Sequence, residues 1–357
     1  MTTRVTRDVK HSSPAHSNRA MANNSTTTDN IKTNDTTTAR GATVIGIIGE
    51  ALMDMMLETN GTLYPMVGGS PFNVVRALGR LRAPSCYLSP LSRDAFGDQL
   101  TAALLLEGVL LNDDFRSDRP TSLAVVSKND QGQPSYSLYR DGVADRDFTA
   151  QALLANLPQG VQVIHTGSLA IVPEEAEKIR DILTVARGRG ILISIDINMR
   201  PGVVADTAGY IAAVKSLLPL SDLVKASDED LMLLGLDGCP EQQCEQLLSL
   251  MNGGLAIITL GSEGAIALNS AGLVRCAGLN VSNVVDTVGA GDCFQAGLLA
   301  SLFASGCLTS ELLPKTSLDV LAKALRQGCT AAAINITRKG CQPPSKTELD
   351  ALLEQQI

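Results

Sequence analysis

One stretch of the chain, Asp286-Thr287-Val288-Gly289-Ala290-Gly291-Asp292-Cys293-Phe294-Gln295-Ala296-Gly297, combines residue types that can handle a phosphate. Small residues at 289–291 let the backbone approach a ligand closely. The apolar-periodic run from Phe294 to Leu302 reads as a helix. Unpaired N–H groups at its start would hold phosphate oxygens. Asp292 stands beside that anion site. A carboxylate next to a transferring phosphate suits one job, accepting the proton of an attacking hydroxyl. On spacing alone a second account is equally open: Asp292 caps the helix, and the glycines make a tight turn.

Two further glycine-rich stretches carry the same ambiguity. Thr259-Leu260-Gly261-Ser262-Glu263-Gly264-Ala265 lies between two apolar strands. It reads as a hairpin turn, or as a nucleotide loop in which Gly261 and Gly264 admit phosphate or adenosine. Gly68-Gly69-Ser70-Pro71-Phe72-Asn73 opens a helix. Packing and capping account for it, or Asn73 serves as a neutral donor and acceptor for hydroxyls. Established nucleotide fingerprints are missing. No Gly-Lys pair occurs, which removes a Walker A loop, and Phe294 stands where a third dinucleotide-binding glycine would be.

Elements that must position these residues follow from the texture after Thr43. Short β-branched runs at 43–49, 85–88, 161–166, 190–195, 222–225, 255–260 and 265–268 predict strands. Helical periods cover 70–82, 95–107, 173–187, 207–218, 228–234, 291–304 and 318–334. Their alternation predicts an α/β fold, a three-layer α/β/α sandwich around a mostly parallel sheet. Ligands of such sheets collect at the carboxyl ends of the strands. Segments 51–67 and 112–147 break the pattern with strand-like pieces at 63–67, 122–127 and 135–139. These predict a small β lid that would exclude water from a reaction.

Composition narrows the classes. The formal net charge of -8 argues against a nucleic-acid partner. No apolar run reaches 18 residues, so no membrane span is expected. Of three histidines only His165 lies in the body, which excludes a His-rich zinc site and leaves any Ser/His/Asp triad dependent on His165. That residue ends an apolar strand and reads as a satisfied structural histidine. Eight cysteines without a Cys-x-x-Cys pair read as buried thiols in a reducing, cytoplasmic setting. Residues 1–41, rich in Thr, Ser and Asn, read as a disordered leader before a single domain over 42–357.

Taken together, these stretches resemble the pfkB (ribokinase-like) family of carbohydrate kinases, most closely its fructokinase branch, over about residues 43–345. Asp286 to Asp292 is similar to the family's C-terminal signature. Gly68 to Asn73 resembles the N-terminal signature as fructokinases write it. Gly49-Glu50-Ala51-Leu52-Met53-Asp54, Leu138-Tyr139-Arg140, Asp196-Ile197-Asn198-Met199-Arg200-Pro201 and Ala333 to Gly340 are further similar stretches.

The resemblance implies roles for the matching positions. Asp292 would be the general base, and the amides of Gly289, Ala290 and Gly291 would form an anion hole for the moving phosphoryl group. Asp54, Gly68, Gly69 and Asn73 would hold sugar hydroxyls, with Tyr139 and Arg140 reaching in from the lid. Thr259, Gly261, Ser262 and Gly264 would contact ATP, with Asn198, Arg200 and Lys225 near its phosphates. Asp286 and Thr287 begin the loop where many relatives hold potassium. ATP and magnesium are the implied cofactors. Where many relatives carry Asn-x-x-Glu, this chain has Ser227 and Asp230, which leaves the magnesium route open; Gly202-Val203-Val204 replaces a common Trp. Fructose is the first expected substrate. Ketodeoxygluconate and aminoimidazole riboside fit the same marks. A non-catalytic sugar-binding homologue is the competing class, although an intact Asp292 argues against it. Exposed lid strands would allow a homodimer.

Overall fold

The structure, a computed structural model, describes residues 44–128, 134–251 and 253–355. The leader expected over 1–41 lies outside the described residues.

Fourteen strands and ten helices follow one another along the described chain. Strands β1 (Val44–Ile47), β2 (Leu52–Leu57) and β3 (Leu63–Gly68) precede helix α1 (Ser70–Arg80). Strands β4 (Ser85–Tyr87) and β5 (Leu91–Ser92) lead to α2 (Ala95–Leu106); β6 (Arg116–Ser117), β7 (Ser122–Lys128) and β8 (Pro134–Tyr139) lead to α3 (Ala150–Ala155). Then strand and helix alternate: β9 (Val161–Gly167), α4 (Pro173–Gly188), β10 (Leu192–Asp196), α5 (Thr207–Leu217), β11 (Leu223–Ser227), α6 (Asp228–Leu234) and α7 (Pro240–Leu250). Strands β12 (Leu255–Thr259), β13 (Gly264–Asn269) and β14 (Gly272–Ala277) precede α8 (Ala290–Ala304), α9 (Leu318–Asn335) and α10 (Lys346–Glu354).

Eight strands form the central sheet in the order β14-β13-β12-β11-β10-β9-β1-β4. Neighbours from β12 to β4 run parallel, whereas β12-β13 and β13-β14 pair antiparallel. Side-chain alternation divides the apolar residues between two cores. Leu255 and Ile257 of β12 pack with α1, α8 and α9, while Ala256 and Ile258 pack with α4, α5 and α7. Buried on both faces, the strands read as continuous apolar runs, the expected pattern for a parallel sheet. Expected strands and helices appear within a few residues of their predicted bounds. The exceptions are β2, β5, β6, β14, α3, α7 and α10, for which no element was expected at those residues.

A second sheet, β3-β2-β7-β8, occupies the segments expected to form the lid. The chain leaves β1 of the central sheet and enters β2 of this one through Ile48 to Ala51 alone. Among the described residues no helix is long and apolar enough to cross a membrane.

Candidate active site

Asp292 occupies the first turn of α8, but it does not cap that helix. Gly289 is the N-cap residue, and the Asp292 carboxylate turns toward α1 instead. The Ser70 hydroxyl donates to Oδ1 at 2.7 Å, and the Asn73 amide donates to Oδ2 at 2.8 Å. Both donors sit in the first turns of α1, which Phe72, Val74, Val75 and Leu78 anchor as fully buried residues. Sequence separations of 222 and 219 residues between these partners are closed by the packing of α1 on α8. Burial pushes the Asp292 carboxyl above the usual carboxylate range, against the pull of Asn73, Ser70 and the charges of Arg200 and Lys225.

Beside this carboxylate the backbone makes a tight turn. Gly289 has φ 74°, and a Cβ there would lie 2.4 Å from the Cys341 sulfur, so only glycine fits. Ala290 N–H donates to the Thr287 carbonyl at 3.2 Å. The N–H groups of Gly291 and Asp292 have no acceptor among the described residues, as the geometry of a helix start requires. Of the expected trio, the Ala290 amide is used within the turn, while those of Gly289 and Gly291 have no acceptor among the described residues.

The loop before the turn is fastened to the C-terminal segment. Asp286 Oδ1 accepts the Val288 amide at 3.0 Å, and Oδ2 accepts the Gly340 amide at 2.8 Å. The Thr287 carbonyl accepts from Ala290 and the Val288 carbonyl from the Asn335 side chain. Every one of these oxygens thus has a role in holding the loop. Each keeps further acceptor capacity beside its one hydrogen bond, so the loop expected to hold potassium at Asp286 and Thr287 retains oxygens that could ligate a monovalent cation.

Asp54 of β2 reaches the same place. Burial, followed by the nearby Asp292 charge, pushes its carboxyl up to about 6. Two of the expected glycines are explained by close neighbours, one a carboxylate and one a backbone carbonyl. A Cβ on Gly68 would lie 2.1 Å from Asp54 Oδ2, and one on Gly69, at φ 104°, would lie 2.4 Å from the Glu50 carbonyl. Tyr136 of β8 borders the group, since its hydroxyl is raised by burial and then by the Asp54 charge, with Arg200 and Asp286 also acting on it.

Lys225 lies beneath the amide turn, its Nζ 3.4 Å from where a Gly291 Cβ would be. It is buried and donates to both oxygens of Asp196, at 2.9 and 2.8 Å. Strands β10 and β11 place Asp196 directly opposite Lys225, at the carboxyl ends of the sheet. Asn198, two residues on, adopts φ 39° and donates to the Ser70 hydroxyl at 2.8 Å. Arg200 is exposed and acts on Asp292 through its charge.

Other expected residues fall outside this cluster. Tyr139 and Arg140 line a cleft of about 490 Å³ with Leu138, Leu169, Val203 and Val204, and its lining includes none of Asp54, Asn73 or Asp292. Tyr139 is 60% exposed, whereas Arg140 is buried and paired with Asp145 at 2.7 Å. Thr259 ends β12, and Gly261 to Glu263 make an exposed turn into antiparallel β13. Ser262 lies in that turn. Gly264 is explained locally, because a Cβ there would meet the Cys276 carbonyl at 2.1 Å. Asp230 caps α6 with Ser227 and accepts the Met199 amide at 2.8 Å, so it is a structural carboxylate. His165 is buried, bonded to Ser194 at 2.9 Å and held neutral, its pKa pushed down to about 3 by burial and then by the Lys225 charge. Ser70, Glu50 and Tyr136 are the site neighbours that motif reading passes over.

This cluster presents a held carboxylate, free amides of a helix start and a buried cation behind them. It can take a proton from a hydroxyl and stabilise charge on a phosphoryl group at the same point. Comparison with known proteins agrees. The sequence profile described as "pfkB family carbohydrate kinase" matches residues 42–348. A fructokinase of Rhizobium leguminosarum bv. trifolii is 36% identical over 285 residues, which are 78% of this chain and 85% of that protein. A fructokinase of Escherichia coli is 30% identical over 314 residues, covering 86% of this chain and 98% of its own. Among solved structures, the fructokinase of Xylella fastidiosa with bound ATP superposes with a TM-score of 0.77 at 25% identity, covering 88% of this chain and 98% of that one.

Proposed function

Since the chain belongs to the pfkB family of carbohydrate kinases, we propose that it transfers the γ-phosphoryl group of ATP to the primary hydroxyl of fructose, giving fructose 6-phosphate and ADP. One observation carries the reading: the Asp292 carboxylate, fixed by Ser70 and Asn73, stands at a helix start whose Gly291 and Asp292 amides are unpaired. The relatives named fructokinase support the choice of sugar.

In this reading the sugar lies between Asp54, Asn73 and Asp292. Asp292 accepts the hydroxyl proton while the sugar oxygen attacks the γ-phosphorus. The bond from that phosphorus to the bridging oxygen breaks, and ADP leaves with the electron pair. Amides of Gly291 and Asp292 face the charge on the phosphoryl oxygens, where fixed dipoles are worth more than in water. Lys225 adds a buried positive charge behind them, and Arg200 an exposed one. Thr259 to Gly264 would border the nucleotide, with Asn198 beside Arg200.

Magnesium fits as a companion of the triphosphate rather than as an ion caged by protein. Among the described residues no three His, Cys, Asp or Glu side chains converge on a common point, and Asp230 is already engaged. Such a cation commonly keeps waters and substrate phosphates as its ligands and neutralises phosphate charge. A reducing, cytoplasmic compartment fits the eight free thiols.

ADP release measured over a panel of fructose, ribose, ketodeoxygluconate and aminoimidazole riboside tests the proposal. Fructose should give the highest kcat/KM by at least about tenfold, a difference of roughly 1.4 kcal/mol in transition-state binding. A higher value for any other member reassigns the substrate, and no ADP with any of them removes the reading. Exposed Leu57, Leu63 and Tyr64 on the β2-β3 hairpin also support a homodimer through this sheet. Sedimentation at the mass of one chain at micromolar concentration would exclude it.

A further inference from the structure

Glu50 has no role in the reaction described so far, yet it sits at its structural crossroads. The residue lies in the short passage from β1 of the central sheet to β2 of the second sheet. It is 1% exposed. Helix α1 begins at Ser70 with Gly69 as its N-cap, and Gly69 has no side chain with which to cap. Glu50 supplies the missing acceptor from elsewhere: its Oε1 takes the Ser70 amide at 3.2 Å. A carboxylate at a helix start is favoured both by that hydrogen bond and by the helix dipole. The close fit is enforced by backbone, because the Glu50 carbonyl lies where a Gly69 Cβ would go.

Ser70 links this carboxylate to the base. Its amide faces Glu50 while its hydroxyl donates to Asp292 Oδ1, and the Asn198 amide donates in turn to that hydroxyl. Asn73, the other donor to Asp292, lies in the next residues of the same helix. Whatever moves the start of α1 therefore moves both groups that orient Asp292.

We propose that Glu50 is a positioning residue for Asp292, acting through the N-terminus of α1, and that it must be ionised for full turnover. Groups facing Glu50 come from every side. Arg140 follows β8, Asp145 lies in the 3-10 turn Ala144–Arg146, Tyr87 is in β4, Ser168 follows β9 with φ 53°, and Tyr210 is in α5. Burial pushes the Glu50 carboxyl up to about 7, with the Arg140 guanidinium opposing it. Loss of its charge near neutrality weakens the hold on the Ser70 amide, and the base loses its fixed direction.

This inference rests on the kinase reading. Its failure is distinct: an inactive wild-type chain defeats that reading, whereas the outcomes below are measured in an active enzyme. One group that must be ionised gives log kcat a slope of one on the acid side; a second whose charge is worth about tenfold steepens it above one across its own titration. Glu50→Gln keeps the shape and an acceptor oxygen but removes the charge. It should lower kcat about tenfold with both KM values within threefold, and return the acid-side slope to one throughout. Glu50→Asp keeps the charge but withdraws it from α1, so kcat should fall with the steeper slope retained. A thermal melt at pH 8 should place Glu50→Gln at or above the wild type, since a buried charge has been removed. A kcat within twofold of wild type in both variants overturns the proposal. So does an unchanged slope in Glu50→Gln, or a loss confined to KM, which would make Glu50 a binding residue.

Discussion

Asp292→Asn should retain ATP binding and lose phosphoryl transfer by at least about 100-fold, the lower end of what a positioned general base contributes. The substitution keeps the size of the side chain and can still pair with Ser70 and Asn73 after an amide flip. It removes only the ability to accept a proton. Stability should not fall, because burial raises the Asp292 pKa in the folded state. For a group raised in this way, the stabilising protonated form is present at pH below the unfolded value near 4. That contribution is lost as pH rises through the folded value. At pH 7 the asparagine variant escapes this loss, so its Tm should equal or exceed that of the wild type. The pH profile provides a second check. Wild-type kcat/KM should rise with pH along a limb displaced upward from the ordinary carboxylate range. Turnover of Asp292→Asn within tenfold of wild type, measured as single-turnover sugar phosphate formation, would remove Asp292 from the mechanism.

How legible these parts were in the sequence depends on the range over which their causes act. The amide turn was readable because its cause is local: Gly289 is forced by a positive φ, and the helix after it by apolar period. The parallel sheet was readable from alternation, and the β12-β13 hairpin from a turn too short for a parallel crossover, but β14 was not, since its burial is only partial and its apolar pattern weak. The choice between a capping Asp292 and a catalytic one was undecidable from spacing. It turns on Ser70 and Asn73, more than 200 residues away in the chain. Lid contacts illustrate another limit. Tyr139 and Arg140 are adjacent in sequence, but neighbouring residues near a strand end point to opposite faces. The structure accordingly exposes Tyr139 and buries Arg140, while Tyr136, four residues before Arg140 and in phase with it, borders Asp54. Counting by twos from Arg140 would have selected Tyr136. Lys225 was legible as a cation of interest, but its partner Asp196 required knowledge of the strand register.

That buried pair sets up a test whose outcome is asymmetric. Asp196→Ala leaves the Lys225 ammonium without a carboxylate in a dry site, where breaking a buried pair costs about 3–5 kcal/mol. Against a total stability of roughly 5–15 kcal/mol this is a large fraction, and the variant should melt far below wild type. Lys225→Met removes the other partner, but Asp196 can respond. Burial already pushes its carboxyl up to about 6 with the lysine in place, and loss of the lysine moves it higher. At pH 5 the acid is therefore neutral in the variant, and its Tm should lie near the wild-type value. As pH rises past 6 the wild type ionises Asp196 against Lys225, while the variant must keep the proton that the unfolded chain releases. The Tm gap should then widen toward pH 8. Turnover distinguishes the two roles of the pair. Lys225→Met lacks the positive charge behind the Gly291 amide at every pH, so kcat should stay about tenfold or more below wild type even at pH 5 to 6, where the fold is least affected. Equal Tm losses for the two variants across pH would show that Asp196 does not take up the proton. A wild-type kcat in Lys225→Met would show that the cation serves the fold alone.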